Sequence, residues 1–405
     1  MTLKQAEQQA LKNNPRISLA KLLALAEGQV VREVHSAELP FAGGNLTAVK
    51  PKAGSRITAG GLNNPVLFER AAGGATVGQL ITDFGRTRNL VASASLRAKA
   101  QSENAQATVA DVVLAVDQAF YASLQSQALL NVAEATVKTR QTTADQVQAL
   151  TDAKLKSQLD LSFANVNLAQ AKLLLLDAQN NKQAAFANLN TLLGFEKQQT
   201  YLLVDETNGP VSPLSQSVDG TLAAAFSSRP DLAALNDQFQ AQERFRRAEH
   251  DLNRPSINAL AAVGGAPVRA DQLSPWYYAI GVNISIPIFN GFLFSSRAHE
   301  ADYRTAALRE QVKDLRDRIA RDVQVTWLQA QSAYQRIAVS EQLLQQANLA
   351  LDLAQSRYDL GLSSIVELSQ AQLQQTEAAI NNVTARYQYQ AALATLAYQA
   401  GNNTK

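Results

Sequence analysis

The sequence predicts a mainly α-helical chain with a small β part, folded as two tandem copies of one unit. Three observations predict it. The chain repeats itself at a constant offset of 207: Val116 falls on Val323, Glu134 on Glu341, Asp145 on Asp352, Gln148 on Gln355 and Asp152 on Asp359, without a gap over residues 80–194. Each copy contains a stretch of about 66 residues, free of proline and glycine, in which apolar and small residues recur by threes and fours. Finally, Ile280, Val282, Ile284 and Ile286 alternate with Ala279, Gly281, Asn283 and Ser285, the period of a strand with one apolar face.

A second register, offset by 215, pairs Pro15, His35 and Pro40 with Pro230, His250 and Pro255. The two offsets differ by 215 − 207 = 8, which places an eight-residue insertion in the first copy between Pro40 and Leu80. Gly-rich loops tolerate such insertions.

Composition bounds the function. Aromatic residues make up only 6% of the chain, so long helices with small contact residues are favoured over one thick core. With 37 basic and 35 acidic residues there is no global positive field, which argues against a nucleic-acid partner. The absence of cysteine excludes a disulfide framework, thiolate chemistry and Cys-based zinc sites. No charged-then-apolar signal peptide opens the sequence, and no run of about 18 apolar residues is expected to cross a bilayer as a helix. Either the protein is intracellular, or it begins after processing and crosses any membrane with strands.

Taken in order, the first copy spans residues 1–194 and the second 229–401. Helices are expected over 15–39 and 230–254, because proline suits a first helical turn and the residue before Pro40 or Pro255 avoids the helical region. Hairpins of strands follow over about 41–83 and 256–286. In the second, Ile257, Ala259, Ala261 and Val263 form the weaker strand, with a loop over 264–275. Trp276, Tyr277, Tyr278 and Phe289 bracket the better strand, as aromatics do at a membrane interface, although a half-buried hairpin on a globular core has the same alternation. Alternation is poor around 45–58 and 75–83, so the first hairpin rests mainly on the repeat. The Gly-Gly pairs at 43, 60, 73 and 264 read as turn chemistry.

After Asp83-Phe84-Gly85 and Phe289-Asn290-Gly291 the helical period takes over, giving long helices over about 85–151 and 292–358. Val312, Leu315, Ile319, Val323, Thr326, Ala330, Ala333, Ile337, Ser340, Leu344, Ala347, Leu351, Ala354 and Tyr358 form a heptad seam. Val112, Val116, Ala119, Ser123, Ser126, Leu130, Ala133 and Val137 form its counterpart, and Arg140 breaks that stripe. About 66 residues make a helix of roughly 100 Å, longer than any compact domain needs. Tips over 152–157 and 359–364 reverse the chain. Returning helices over 158–193 and 365–400 stop at Gly194 and Gly401. Residues 195–228, with Gly209-Pro210 and Pro213, form an irregular linker, and 402–405 a tail. Arg86 and Arg88 open a helix, where the macrodipole disfavours cations; these two, like the cluster Arg244, Arg246 and Arg247, either stay solvated beside carboxylates or meet lipid phosphates.

Residues 358–372 read Tyr-Asp-Leu-Gly-Leu-Ser-Ser-Ile-Val-Glu-Leu-Ser-Gln-Ala-Gln. This resembles the hairpin-tip motif of the TolC-like outer-membrane efflux family, Tyr-x-x-Gly-x-x-Ser/Thr-x-x-(acidic)-Leu-x-x-Ala. Pro-Ile-Phe-Asn-Gly at 287–291 resembles that family's Pro-Leu-Phe-Asp/Asn-Gly after the second strand. The repeated order of helix, hairpin, long helix, tip and returning helix extends the resemblance over nearly the whole chain. It implies a homotrimer in the outer membrane of a double-membraned bacterium. Four strands per protomer would close a twelve-stranded transmembrane β-barrel, continuous with a long α-helical barrel in the periplasm, and 195–228 would form an equatorial collar. The function implied is the exit duct of a tripartite efflux or type I secretion system, passing small molecules or polypeptides. Its partners would be a periplasmic adaptor, through it an inner-membrane transporter, and outer-membrane lipid.

Carried over by motif, Tyr358 is a latch candidate and Glu367 lines the constriction, with Gln370, Asp152 and Asp160 as further gate candidates. Three-fold symmetry would turn each carboxylate into a ring, attracting cations. The tips, Leu360-Gly361-Leu362-Ser363 and Lys154-Leu155-Lys156, would dock the adaptor. Trp276, Tyr277, Tyr278 and Phe289 would lie at the lipid interface. There are departures. The first tip lacks the glycine and gains two lysines, so the two docking grooves should differ in charge preference. Ser363 stands where some relatives have a latching arginine and Gln370 where some have a second acid, so the gate should be less tightly latched and less cation-selective.

Other classes fit less well. Three histidines, no Cys, no His-Glu-x-x-His, no Gly-x-Ser-x-Gly and no phosphate-binding glycine loop argue against an enzyme, a metal site or a cofactor. His35 and His250 read as duplicated helix-end positions rather than a metal ring. A soluble coiled-coil scaffold would keep the heptads but has no use for an alternating apolar strand flanked by aromatics. A periplasmic adaptor carries one helical hairpin, not two in tandem.

Overall fold

The computed structural model describes residues 1–52, 70–195, 197, 199, 201–205, 213–214, 217–266 and 274–402. The glycine pair at 60, the Gly209-Pro210 step and most of the loop within 264–275 lie outside the described residues. The first copy contains α1 (Leu3–Asn13), α2 (Pro15–His35), β1 (Phe41–Val49), β2 (Arg70–Thr82), α3 (Arg86–Asp152) and α4 (Gln158–Leu192). The second contains α5 (Val218–Ser228), α6 (Pro230–His250), β3 (Ser256–Gly265), β4 (Trp276–Ser285), α7 (Leu293–Asp359) and α8 (Ile365–Gln399). The starts of α1, α2 and β1 map onto those of α5, α6 and β3 at the offset of 215, and α3 and α4 map onto α7 and α8 at 207.

Two expectations about the helices need correction. The linker is not irregular to residue 228: its last eleven residues are α5, the counterpart of an α1 that periodicity did not reveal. Both helices are short and are set by their caps, Thr2 in a capping box with Gln5 and Ser217 accepting from the Gly220 N–H. The helices before Pro40 and Pro255 end one turn early, at His35 and His250, and tighten into three-residue 3₁₀ turns. No 18-residue stretch of α3 is apolar throughout; one such window is apolar on average, and half of it is buried inside the protein.

Two compact units form, and neither is a repeat: each draws on both copies. The first comprises residues 1–22, 103–233 and 314–405 and is helical. The seam of α7 is buried or half-buried at every position from Val312 to Tyr358, and that of α3 from Val112 to Val137. Small residues let the returning helices close on the long ones: Ala133 meets Ala178 between α3 and α4, and Ile337 meets Ala385 and Tyr389 between α7 and α8. A core of Ala6, Ala10, Ile17, Val116, Phe120, Leu189, Leu193 and Leu203 seats α1 and the linker residue Leu203 against α3 and α4. The corner after α1 clamps the end of α4 through Asn14 Nδ2, which donates to the Leu192 carbonyl at 2.8 Å. In the second copy Arg229 Nη1 does the same for the Gln399 carbonyl at 3.4 Å.

The second unit comprises residues 23–102 and 234–313 and holds one antiparallel sheet in the order β1-β2-β3-β4. Cross-strand partners share a face. Ile280 faces Ala261, which faces Val77, which faces Ala42, so one side carries Trp276, Tyr278, Ile280, Val282, Ile284, Val263, Val77 and Leu46. All ten residues of β4 are exposed, and β1 and β4 each leave one edge unpaired among the described residues.

The glycine pairs at 43, 73 and 264 are not turns. They lie within β1, β2 and β3, and Gly264 and Gly74 make room for the Tyr277 ring: a Cβ on Gly264 would meet the Tyr277 hydroxyl at 2.5 Å and one on Gly74 at 3.1 Å. Between α6 and α7, which flank the β3–β4 hairpin in sequence, Arg297 forks onto Glu249 at 2.7 and 2.9 Å. Of the basic cluster, Arg246 pairs with Asp302 at 3.3 Å, and His250 reaches the same oxygen at 3.0 Å.

Candidate functional site at the hairpin tips

Both tips are built by one backbone motif. After α3 the Leu155 N–H donates to the Leu150 carbonyl at 2.8 Å and the Lys154 N–H to Thr151 at 2.9 Å. After α7 the Leu362 N–H donates to Arg357 at 2.8 Å and the Gly361 N–H to Tyr358 at 3.0 Å. These are the paired bonds of a helix end closed by one left-handed residue. Gly361 occupies that position with φ 72° and Lys154 with φ 62°. Loss of the glycine in the first tip therefore leaves the turn unchanged; the two tips differ in side chains.

The next residues start the returning helices. Ser157 accepts from the Asp160 N–H at 3.1 Å while the Asp160 carboxylate accepts from the Ser157 N–H at 3.1 Å, a closed capping box. Ser364 caps α8 through the Glu367 N–H at 3.4 Å, but the Glu367 carboxylate turns to Arg357 Nε at 3.1 Å. Two of the expected acids thus have local partners. Asp152 also has one, accepting from Gln148 Nε2 at 2.8 Å, and Asp359 accepts from Gln355 in the same way at 2.9 Å. Gln370 is exposed on α8.

Tyr358 lies at the centre of the arrangement. It is 4% exposed, in a core that joins both hairpins through Val147, Leu161, Leu168, Ile365 and Leu368. Its hydroxyl has no hydrogen-bond partner among the described residues, nor has the buried Ser363 Oγ. Burial raises its pKa, and the charges of Asp160 and Asp359 raise it further. Lys156, from the first tip, sits over the Tyr358 ring at 4.4 Å, a cation–π contact between the hairpins. Three leucines stand exposed at the tips among polar residues: Leu155, Leu360 and Leu362 are 71%, 74% and 67% exposed.

Sequence reasoning missed Arg357 as the partner of Glu367 and Lys156 as the partner of Tyr358. The first pair forms only once the chain has reversed at the second tip, and the second only once the two hairpins pack together. The arginine directly before Tyr358 was the available signal. In the sheet unit, Trp276, Tyr278 and Phe289 are exposed, and Tyr277 spans the strand glycines Gly264 and Gly74.

Comparison with known proteins gives a consistent picture. The profile of the family described as "Outer membrane efflux protein" matches residues 6–195 and 221–402. The outer membrane efflux protein BepC of Brucella suis biovar 1 (strain 1330) is 24% identical over 379 residues, 92% of this chain and 79% of that one. Among solved structures, the CmeC outer membrane channel of Campylobacter jejuni superposes with a TM-score of 0.88 at 16% identity, over 99% of this chain and 86% of that one. The open state of the MtrE outer membrane channel of Neisseria gonorrhoeae gives 0.84 at 18%, over 100% and 89%.

Proposed function

Because this chain belongs to the outer membrane efflux protein family, we infer that it is the outer-membrane exit duct of an efflux or type I secretion assembly. The observation that carries the reading is the four-stranded sheet, apolar and exposed on one face and, among the described residues, open at both edges. Unpaired backbone groups cannot face hydrocarbon, so such a sheet enters a bilayer only when closed. Three copies closing a twelve-stranded barrel supply the missing partners, with Trp276, Tyr278 and Phe289 at the lipid interface. The soluble scaffold gives this face nothing to do.

The paired long helices continue the duct, and their tips carry the gate. Tyr358, held by the hairpin core and capped by Lys156, is the latch. Glu367, with Gln370, Asp152 and Asp160, lines the constriction, and Arg357 partly neutralises the Glu367 carboxylate. The apolar tip residues Leu155, Leu360 and Leu362, flanked by Lys154, Gly361 and Ser363, form the docking surface for a periplasmic adaptor and, through it, an inner-membrane transporter. Small molecules or polypeptides are the cargo.

Conductance in planar bilayers tests this. The wild type should form small channels with mild cation preference. Glu367→Gln leaves the Arg357 charge bare and should shift selectivity toward anions, while Arg357→Gln should strengthen cation preference. Absence of channels, or two variants that conduct like the wild type, would remove the gate from this position.

A further inference from the structure

Arg140 is the residue that interrupts the seam of α3. It is 7% exposed, and its Nη1 meets no hydrogen-bond acceptor among the described residues. Burial lowers its pKa, to about 10, so it is cationic at neutral pH, and it has no counter-charge among the described residues. The repeat provides an internal control. The position equivalent to 140, offset by 207, is Ala347, which is equally buried, so seam packing at this level does not require an arginine. A buried guanidinium nitrogen without a partner is costly unless something brings it an anion.

The guanidinium lines a cleft of about 390 Å³ between α4 and α8, with α3 as its floor. Phe163, Val166 and Leu373 give the cleft exposed apolar walls, and Asn167, Gln170 and Ser369 place amides and a hydroxyl along it. Asn167 Nδ2 donates to Ser369 Oγ at 2.6 Å across the cleft, bracing it. The volume is that of a small-molecule site. A bare inorganic ion would leave the apolar walls wet, and a guanidinium fork suits a planar carboxylate. We propose that this cleft binds a small amphipathic anion, a carboxylate or sulfonate carried on an apolar body. The site lies within one chain and stands whether or not the duct reading does.

The test uses the full chain in non-ionic detergent and the fluorescent arylpropionate naproxen, with its neutral primary amide as control. Naproxen should bind saturably at one site per chain. Arg140→Met, whose apolar chain suits the seam, should bind about tenfold more weakly, while Arg140→Lys, which keeps the charge, should bind better than Arg140→Met. The amide should bind weakly to all three. Arg140→Met should unfold at the same temperature as the wild type or higher, because it removes an unpaired buried charge. Equal naproxen binding by wild type and Arg140→Met would overturn the proposal. So would a less thermostable Arg140→Met oligomer together with no naproxen binding by the wild type, since a carboxylate of a second copy would then be the counter-ion.

Discussion

Lys154 holds a left-handed backbone that costs a side-chain-bearing residue about 1 kcal/mol relative to glycine. Lys154→Gly should therefore raise the denaturation midpoint and Gly361→Ala lower it, each by the equivalent of about 1 kcal/mol. A Cβ at Gly361 meets open space, so the second change isolates backbone strain. Thermal unfolding of the two variants beside the wild type checks the pair, and unchanged midpoints would mean that the turn relaxes elsewhere.

Asp117, on the buried face of α3, has one carboxylate oxygen without a partner. Burial first, then the charge and hydrogen bond of Glu7, push its pKa up to about 8. The folded value lies above the unfolded one, so the group binds its proton more tightly in the folded state. Its contribution is whole below about pH 4 and is lost as pH rises through the folded pKa. Asp117→Asn should thus gain stability relative to the wild type between pH 5 and pH 8, by at most about 1.4 kcal/mol per pH unit. Melting curves at the two pH values decide it; a constant difference would contradict the assignment.

Among the elements, those with a strong period were legible and those set by caps or close approach were not. The seams of α3 and α7 and the alternation of β4 were visible because each runs for many residues with one face buried or apolar. α1 and α5 are only three turns long and bury little more than Ala6, Ala10, Thr221 and Ala225, too few residues to stand out by period. The strand glycines looked like turns because composition does not reveal a ring crossing neighbouring strands. Gly264→Ala should therefore destabilise the sheet, since its Cβ would lie 2.5 Å from the Tyr277 hydroxyl and 2.8 Å from the Gly73 carbonyl, and Tyr277→Ala in the same chain should relieve only the side-chain part of the clash. Yield and melting of the membrane-extracted protein measure both steps. A Gly264→Ala protein as stable as the wild type would show that the ring and the neighbouring strand both move aside. At the tips, the turn motif was readable, whereas the contact of Arg357 with Glu367 depends on how the chain reverses and that of Lys156 with Tyr358 on how the two hairpins pack.

At the scale of the molecule, duplication in sequence does not coincide with compactness in space. Each copy gives residues to both units, so neither copy could fold alone with its sheet and helical core intact. The tandem order was plain from the two offsets, and the fold class with it; the interleaving was not, because offsets carry no information about which copy packs on which. The central claim is that the open sheet of one chain is closed by others of its kind. Single-particle cryo-electron microscopy of detergent-purified protein tests it most directly. The account predicts a three-fold particle in which β1 of one chain pairs with β4 of the next, closing a twelve-stranded barrel continuous with a helical tube. A protein that is monodisperse without detergent, or particles in which the β1 and β4 edges stay unpaired, would contradict it.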